Sequence, residues 1–245
     1  MKQLLLFGLT FILTACGVPE LSTPASTPQA IHVIYPAALK PWADKLATCA
    51  SGNPQTALYF TQSPTSGTTI ADDELVLVLG EASLEDVTLY LSQVGKERLL
   101  VVVNQDNSLS QLTTSQLRSI FSGQTTSWGN GSGQLIQVWV FPNGDPVRMI
   151  FDQVILASQS LTSNAMLAPD PVAMLEAIAR DVNAMGYLPG SVLTSSDPTL
   201  AGKVKLIQLD DSLEEELYQP VIAITKNEPQ GLQRELLVCL QTAIR

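Results

Sequence analysis

From residue 31 onward, short apolar runs alternate with longer amphipathic segments. The short runs are typical of strands, and uninterrupted apolar runs such as 75–80 and 98–104 are typical of strands buried on both faces. Strands are predicted at 31–35, 57–61, 75–80, 98–104, 135–141, 184–189, 203–209 and 220–225. Helices are predicted at 38–50, 83–94, 112–123, 147–158, 170–183 and 231–245. This alternation predicts an α/β fold with mainly parallel sheets.

Cap residues mark where some of these helices begin. Ser83 lies at the start of the second predicted helix, with Asp86 three residues further on. Thr113 and Gln116 have the spacing of a capping box, in which each side chain accepts a backbone N–H of the other residue. The sequence therefore predicts a helix that begins directly after Thr113.

The turn between the strand 135–141 and the helix 147–158 is the first candidate site. The first turn of a helix offers free backbone N–H groups and a partial positive charge, which attract anions. Here Asp145 stands at the cap position and Pro146 at the first helical position, so the helix start already carries a carboxylate. Helix capping alone would account for Asp145; a ligand-binding role is the alternative.

The N-terminus is typical of an export signal. The segment MKQLLLFGLTFILTAC has one Lys, then an uncharged apolar stretch, then small residues before Cys16, and it is too short for a comfortable membrane span. LTAC at 13–16 resembles the bacterial lipobox, which implies a signal peptide at 1–15, a lipidated Cys16 and a location outside the cytoplasm, anchored to the cell membrane. An ordinary signal with a chance Cys is the alternative. Residues 16–30, rich in Pro, Ser and Thr, are predicted to be a flexible linker.

Charge narrows the range of partners. The chain has 23 acidic and 13 basic residues and a net charge of −10, with no basic stripe, so nucleic acid is excluded as a partner. A hydrophobic content of 45% over 245 residues suits one large domain or two small lobes.

The two remaining cysteines, Cys49 and Cys239, lie in predicted helices near either end of the folded part. Export permits a disulfide between them, and two buried free thiols are the alternative. No Cys-x-x-Cys or His-rich cluster is present, so neither a metal nor another cofactor is predicted.

The residue patterns of common enzymes are missing from the sequence. The one histidine, His32, lies inside the first predicted strand, and no Gly-x-Ser-x-Gly elbow or phosphate-binding Gly-rich loop occurs in a suitable context. We therefore predict no catalytic residues and a protein that is not an enzyme.

A longer motif resembles a known family. LTTSQLRSIFSGQTTSW at 112–128 resembles a segment of the phosphate ABC-transporter substrate-binding proteins, which belong to the type II periplasmic binding protein superfamily. The matching residues are Leu112, Leu117, Ile120, Phe121, Gly123 and Trp128. AIARDVNAMGYLP at 177–189 resembles a later segment of the family, with matches at Ala184, Gly186 and Tyr187. With the segments around them, these matches span about 31 to 243 in collinear order, and the chain is a divergent member.

The resemblance implies a fold of two α/β lobes with mostly parallel sheets, joined by two hinge-crossing segments. The domain would cover 31–245, with one lobe at 31–100 and 192–245 and the other at 101–191. Cys49 and Cys239 then fall in the same lobe, which favours the disulfide. The cleft between the lobes would hold a ligand at the strand ends.

The family's phosphate grip is altered in this chain. Its Arg at the strand end corresponds to Phe141, and its Ser-Gly-Thr corresponds to Asp145, Pro146 and Val147. The chain therefore loses an Arg, two hydroxyls and a backbone donor and gains a carboxylate, which opposes phosphate binding. The predicted ligand-binding residues are Ser66, Gly67, Thr68, Glu81, Ser83, Asp145 and Arg148.

Three uses of the cleft remain open. A cationic or polyol-like ligand would use Asp145 and Glu81, another anion would use Arg148 and Ser66, or the cleft is degenerate. The leading hypothesis is an extracytoplasmic solute-binding lipoprotein of an ABC-type uptake system that delivers a small solute to a permease. The alternative is a non-transport adaptor or sensor lipoprotein with the same fold, which binds a protein partner.

Overall fold

The computed structural model of the chain describes residues 29–53, 55–63, 70–81, 88–129 and 133–243. The predicted signal peptide, Cys16 and most of the linker lie outside the described residues. Four of the predicted ligand-binding residues lie outside them as well, namely Ser66, Gly67, Thr68 and Ser83.

Nine strands form one mixed sheet in the described part of the chain. They are β1 (Gln29–Tyr35), β2 (Thr56–Gln62), β3 (Glu74–Leu79), β4 (Tyr90–Asn104), β5 (Gln137–Val140), β6 (Met166–Leu167), β7 (Ala184–Pro189), β8 (Val204–Leu206) and β9 (Tyr218–Thr225). Their order is β2-β1-β3-β9-β4-β7-β5-β6, and β8 also pairs with β4. The pairs of β1 with β2 and β3, and of β5 with β6 and β7, are parallel, and those of β9 and β4 are antiparallel.

Eight α-helices accompany this sheet in the described part of the chain. They are α1 (Lys40–Ser51), α2 (Thr114–Phe121), α3 (Pro146–Phe151), α4 (Pro171–Arg180), α5 (Gly190–Ser195), α6 (Pro198–Ala201), α7 (Asp211–Glu216) and α8 (Gly231–Thr242). A turn of 3-10 helix at Ala37–Leu39 precedes α1, and a π-helical segment at Asp152–Leu156 continues α3. The capping box predicted at Thr113 and Gln116 is confirmed, since the Gln116 N–H donates to the Thr113 hydroxyl and the Thr113 N–H to the Gln116 side chain.

The predicted helix at 83–94 is wrong over its second half. Residues 82–87 lie outside the described part, and from Tyr90 the chain is extended and pairs with β9. Residues 90–93 pair one for one with Thr225 to Ile222 of β9, which supplies their hydrogen-bond partners. Pairing with a distant strand therefore overrides a local helical pattern of about three turns.

The strand β4 joins the two halves of the molecule. Its residues 90–98 pair with β9 and so belong with β1, β2 and β3, whereas 99–103 pair with β7 and so belong with β5 and β6. The predicted two-lobed α/β fold is confirmed in this arrangement. The expectation of mainly parallel sheets is wrong for the described strands, because β9 and β4, which lie at the centre of the sheet, pair antiparallel with their neighbours. The lobe boundaries stay a prediction, and β8 pairs with residues 102–104 although 192–245 was assigned to the other lobe.

A disulfide links α1 to α8 in the half that contains β1, β2 and β3, which we call the first half. Cys49 in α1 and Cys239 in α8 are bonded, with their Cα atoms 5.9 Å apart, so the predicted bridge is present. The two cysteines are separated by 190 positions, and the bridge therefore ties the end of the chain to its first helix.

Candidate ligand-binding cleft

A cavity of about 330 Å³ lies between the two halves. On one side are Ala37, in the turn after β1, and Gln62, at the end of β2; on the other is the turn between β5 and α3. We call this space the central cavity, and its lining residues are Ala37, Gln62, Pro142, Asn143, Gly144, Asp145 and Pro169. Strand ends that face each other across two lobes are where ligands bind in folds of this kind.

Two features of the backbone make the turn after β5 tight. Gly144 adopts a φ of 87°, a conformation that residues with a Cβ rarely tolerate. The Asp145 N–H donates to the Pro142 carbonyl at 3.2 Å. This geometry turns the chain so that Asp145 becomes the cap of α3.

The carboxylate of Asp145 uses the donors of the helix start. Its Oδ1 accepts the backbone N–H of Val147 at 2.8 Å and that of Arg148 at 3.3 Å. Pro146 has no N–H, and the N–H of Met149 donates to the Asp145 carbonyl. The first turn of α3 therefore retains no backbone donor for an external anion.

Asp145 is itself a partly desolvated charge. Burial raises the pKa of its carboxyl above the usual value, and the hydrogen bonds from Arg148 and Val147 act in the opposite direction. No described residue donates a hydrogen bond to its Oδ2. That oxygen is available to a hydrogen-bond donor or a cation in the central cavity.

Arg148, a predicted ligand residue, faces its own helix. Its Nε lies 2.7 Å from both carboxylate oxygens of Asp152, and its Nη1 donates to the Phe141 carbonyl at 3.1 Å. The side chain is only 12% exposed. The structure thus places the guanidinium in an internal ion pair, outside the lining of the central cavity.

Phe141, at the position of the family's Arg, belongs to the core. Its ring is fully buried and lies edge-on to Tyr187, with centroids 5.5 Å apart, and Tyr187 stacks on Phe151 at 3.7 Å. Burial also raises the pKa of the Tyr187 phenol. An aromatic cluster therefore fills the region behind the turn, and the Phe141 side chain leaves no polar group there for a ligand.

The halves also approach each other at the end of β3. Gly80 adopts a φ of 87°, and a Cβ there would lie 3.3 Å from the Ile150 Cδ1 of α3. Glu81 follows and lines a second, larger cavity with α3. The structure thus places Asp145 and Glu81, two of the predicted residues, in the linings of two different cavities beside α3.

Sequence reasoning missed several residues that the fold brings to these cavities. Gln62 and Asn143 line the central cavity, and neither side chain has a hydrogen-bond partner among the described residues. Glu215 and Glu216 also line the larger cavity, and both are exposed, as an acidic run on a solvated helix face predicts. Their position depends on the pairing of β9 with β3, for which the local sequence carries no signal.

The fold is that of a two-lobed binding protein. It has two halves, a strand that crosses between them, and a cavity at the facing strand ends. Residues 86–236, more than half of the chain, match the family model of the PBP superfamily domain. The chain therefore belongs to the PBP superfamily, the periplasmic binding proteins, as the sequence predicted.

Solved structures share this fold. A protein from Clostridium perfringens, assigned as a phosphate ABC transporter substrate-binding protein and solved with bound phosphate, is 16% identical with a TM-score of 0.72, over 86% of this chain and 92% of that one. An ABC-type phosphate transport receptor from Vibrio cholerae is 20% identical with a TM-score of 0.64, over 86% and 93%. The CcmR regulatory domain from Synechocystis, in complex with 2-PG, is 13% identical with a TM-score of 0.62, over 88% and 97%. At these identities the likeness establishes the fold.

No helix among the described residues is both long and apolar enough to cross a membrane. The same residues contain no group of three or more His, Cys, Asp or Glu side chains that could hold a metal ion.

Proposed function

We propose that this protein is the extracytoplasmic solute-binding lipoprotein of an ABC-type uptake system. It would be anchored through a lipidated Cys16 and would carry a small solute in the cleft between its halves to a permease. The observation that carries the proposal is the carboxylate of Asp145, which lines the central cavity and occupies the helix start where an anion would bind, with hydrogen bonds from described residues to its Oδ1 alone.

The cleft is suited to a neutral or cationic solute rather than to phosphate. The described lining of the central cavity offers a carboxylate and two amides, from Asp145, Gln62 and Asn143, and it includes no Lys, Arg or His. A phosphate dianion would meet a partly desolvated like charge, and each missing donor would cost roughly 1–3 kcal/mol.

The mechanism is closure of the two halves about the crossing segments. A solute that contacts Gln62 on one side and Asn143 or Asp145 on the other binds the closed form more tightly than the open form, and so shifts the population toward closure. The closed, loaded form would then dock to the permease.

A thermal-shift screen of the full chain in detergent tests this function. The panel holds phosphate, sulfate, molybdate, amino acids, polyamines and sugars at millimolar concentration. A ligand present at one hundred times its Kd should stabilise the protein by about 2.7 kcal/mol. A shift with a neutral or cationic solute is the expected result.

Two outcomes would contradict the proposal. A shift with phosphate would show that the altered grip still binds the family's anion. Silence across the panel would favour the adaptor or sensor role, in which the cleft is unused and the protein binds a protein partner. The fold is compatible with that role, since a regulatory domain shares it.

A further inference from the structure

The strand β2 forms an open edge of the sheet. Among the described strands it pairs with β1 alone, over all seven of its residues and without a bulge. Sheet edges are usually protected from other chains by a short strand, a Lys, a Pro or a bulge. At the other end of the sheet β6 has two residues, and β8, which pairs with β4, carries Lys205. The strand β2 has none of these features, so its edge can accept another strand.

The free hydrogen-bonding groups of this edge belong to Leu58 and Phe60. The N–H of Ser63, the residue after β2, donates to the Tyr35 carbonyl of β1 at 2.9 Å, so the odd-numbered residues of β2 face β1. In a parallel ladder only alternate residues of a strand bond to the same neighbour. The N–H and C=O groups of Leu58 and Phe60 therefore point away from β1, and no described residue pairs with them on that side.

The side chains along the edge are apolar at its centre and uncharged throughout. Tyr59 is 62% exposed and Phe60 is 38% exposed, and Phe60 lies edge-on to the Tyr35 ring with centroids 6.2 Å apart. Residues 55–63 include no charged side chain, whereas the chain as a whole has a net charge of −10. Two copies of the chain repel each other, and the edge of β2 is a place where they approach without a direct like-charge contact. A charged partner would find no opposite charge on it.

The sequence of β2 is suited to pairing with itself about a two-fold axis. In an antiparallel ladder, two opposite residues that face each other exchange both of their N–H···O bonds. With Tyr59 on the axis, Leu58 of each copy lies opposite Phe60 of the other copy, and the backbone groups of both residues point outward. Thr56 then lies opposite Gln62, so this register uses the whole strand and places apolar side chains at the centre and polar ones at the ends.

We propose that two copies of this protein associate through their β2 edges into a two-fold dimer with one continuous sheet. Each copy contributes its β2 edge to the same interface, so the assembly closes at two copies and does not extend into a fibre. The inference goes beyond solute binding and does not depend on which solute the cleft takes.

The chain that precedes β1 is a weaker candidate for the same edge. Residues 17–28 include Pro19, Pro24 and Pro28. Because Pro has no N–H, this segment cannot supply a regular ladder of donors to β2. A second β2 has no such gap, and it matches the length of the edge residue for residue.

Sedimentation velocity of the full chain, in a detergent whose density matches that of the solvent, tests the inference. We expect a dimer whose fraction rises with protein concentration up to about 100 μM. Salt should strengthen the dimer, because it screens the repulsion between two acidic copies and leaves an uncharged interface intact. A chain that stays monomeric, or a dimer that salt weakens, would overturn the inference.

A pair of matched variants locates the interface. Tyr59→Lys places two like charges opposite each other at the two-fold axis and should weaken dimerisation by at least about tenfold. Tyr59 is exposed in the single copy, so the fold should be retained. Tyr90→Lys changes another exposed Tyr, on β4, and should dimerise as the wild type does. Both variants keep the same N-terminal segment, so association through the detergent micelle would affect them equally. Equal dimerisation of the two would contradict the β2 interface.

Disulfide cross-linking tests the register and does not depend on the Lys variant. Opposite residues of a non-hydrogen-bonded pair have Cα atoms about 4.5 Å apart, within the range that a disulfide spans. Mild oxidation should therefore convert Tyr59→Cys into a covalent dimer on a non-reducing gel, whereas Tyr90→Cys should remain mostly monomeric. Equal cross-linking of the two variants would overturn the inference. A monomeric wild type that dimerises once residues 17–28 are deleted would also overturn it, since the linker would then be what covers β2.

Discussion

The guanidinium of Arg148 lies against the carboxylate of Asp152, one helical turn further along, with its Nε 2.7 Å from each oxygen. The side chain of Arg148 is 12% exposed and that of Asp152 is 35% exposed. The basic residue nearest to the turn after β5 is thus neutralised within its own helix. Among the described residues that line the central cavity, Asp145 carries the one charged side chain, and it forms no ion pair with a described residue.

Replacing Arg148 should lower stability rather than affinity for an anion. Arg148→Ala leaves Asp152 and the Phe141 carbonyl without their donor, and the expected loss in the free energy of unfolding is about 1–3 kcal/mol. Denaturant titration measures it. Arg180→Ala removes an exposed pair of the same spacing with Glu176 and should change stability by less than about 0.5 kcal/mol. Equal effects of the two substitutions would contradict the internal role of Arg148.

Asp145 should make the stability of the protein depend on pH. Because burial raises its folded-state pKa above 3.8, its carboxyl contributes stability that is fully present below about pH 3.8 and is lost as the pH rises through the folded-state pKa. Asp145→Asn keeps the cap and cannot ionise. The stability of Asp145→Asn relative to the wild type should therefore rise between pH 3 and pH 7, measured by denaturant titration at each pH.

A constant difference between Asp145→Asn and the wild type over that range would contradict a desolvated carboxylate at the helix start. Asp145→Ala serves as a second variant, since it removes the cap as well. It should cost about 1 kcal/mol relative to Asp145→Asn at any pH.

Phe141→Arg should not create a phosphate grip, although the resemblance to the family places its Arg at this position. Phe141 is fully buried against Tyr187, so a guanidinium there would be desolvated inside an aromatic cluster. We expect a loss of at least about 3 kcal/mol in the free energy of unfolding and no gain in phosphate binding. Calorimetry with phosphate and denaturant titration check both parts, and a stable variant that binds phosphate would contradict them.

The disulfide should contribute strongly to stability. Reducing Cys49–Cys239 opens a loop closed over 190 positions, and the chain-entropy model gives a loss of about 5 kcal/mol. Denaturant titration with and without reductant measures this. Cys16→Ser, which leaves the bridge intact, is the matched control and should retain the same dependence on reductant.

Glu97 should couple the crossing segments to the first half. It is buried on β4 at the crossing, where it accepts the Trp42 indole N–H at 2.7 Å and the Ser191 backbone N–H at 3.0 Å. Glu97→Ala leaves both donors without an acceptor and should cost at least about 2 kcal/mol. Hydrogen exchange should speed up at Ser191 and at the Trp42 indole, whereas Glu235→Ala should leave both rates unchanged.

Much of the fold could be predicted because its elements carry local signals. The buried strands β3 and β7 coincide with uninterrupted apolar runs. The helices α2 and α4 are capped by Thr113 and Asp170, whose side chains accept backbone N–H groups of the first turn. The short helices α5, α6 and α7 could not be predicted, since four to six residues contain too little periodicity. The helix predicted at 83–94 failed for a different reason: its strand pairing is supplied by β9, more than one hundred residues away.

The sequence by itself determined the α/β class, the motifs of the superfamily, the pair of cysteines and the cap at Asp145, because each depends on neighbouring residues or on a short ordered pattern. The tertiary structure alone decided which charges face the cleft. It turned Arg148 onto Asp152, buried Phe141 in the core and brought Glu215 and Glu216 beside Glu81. The physical reason is that the direction of a side chain and its desolvation depend on strand pairings between residues far apart in the chain, and these pairings leave no mark on the local sequence.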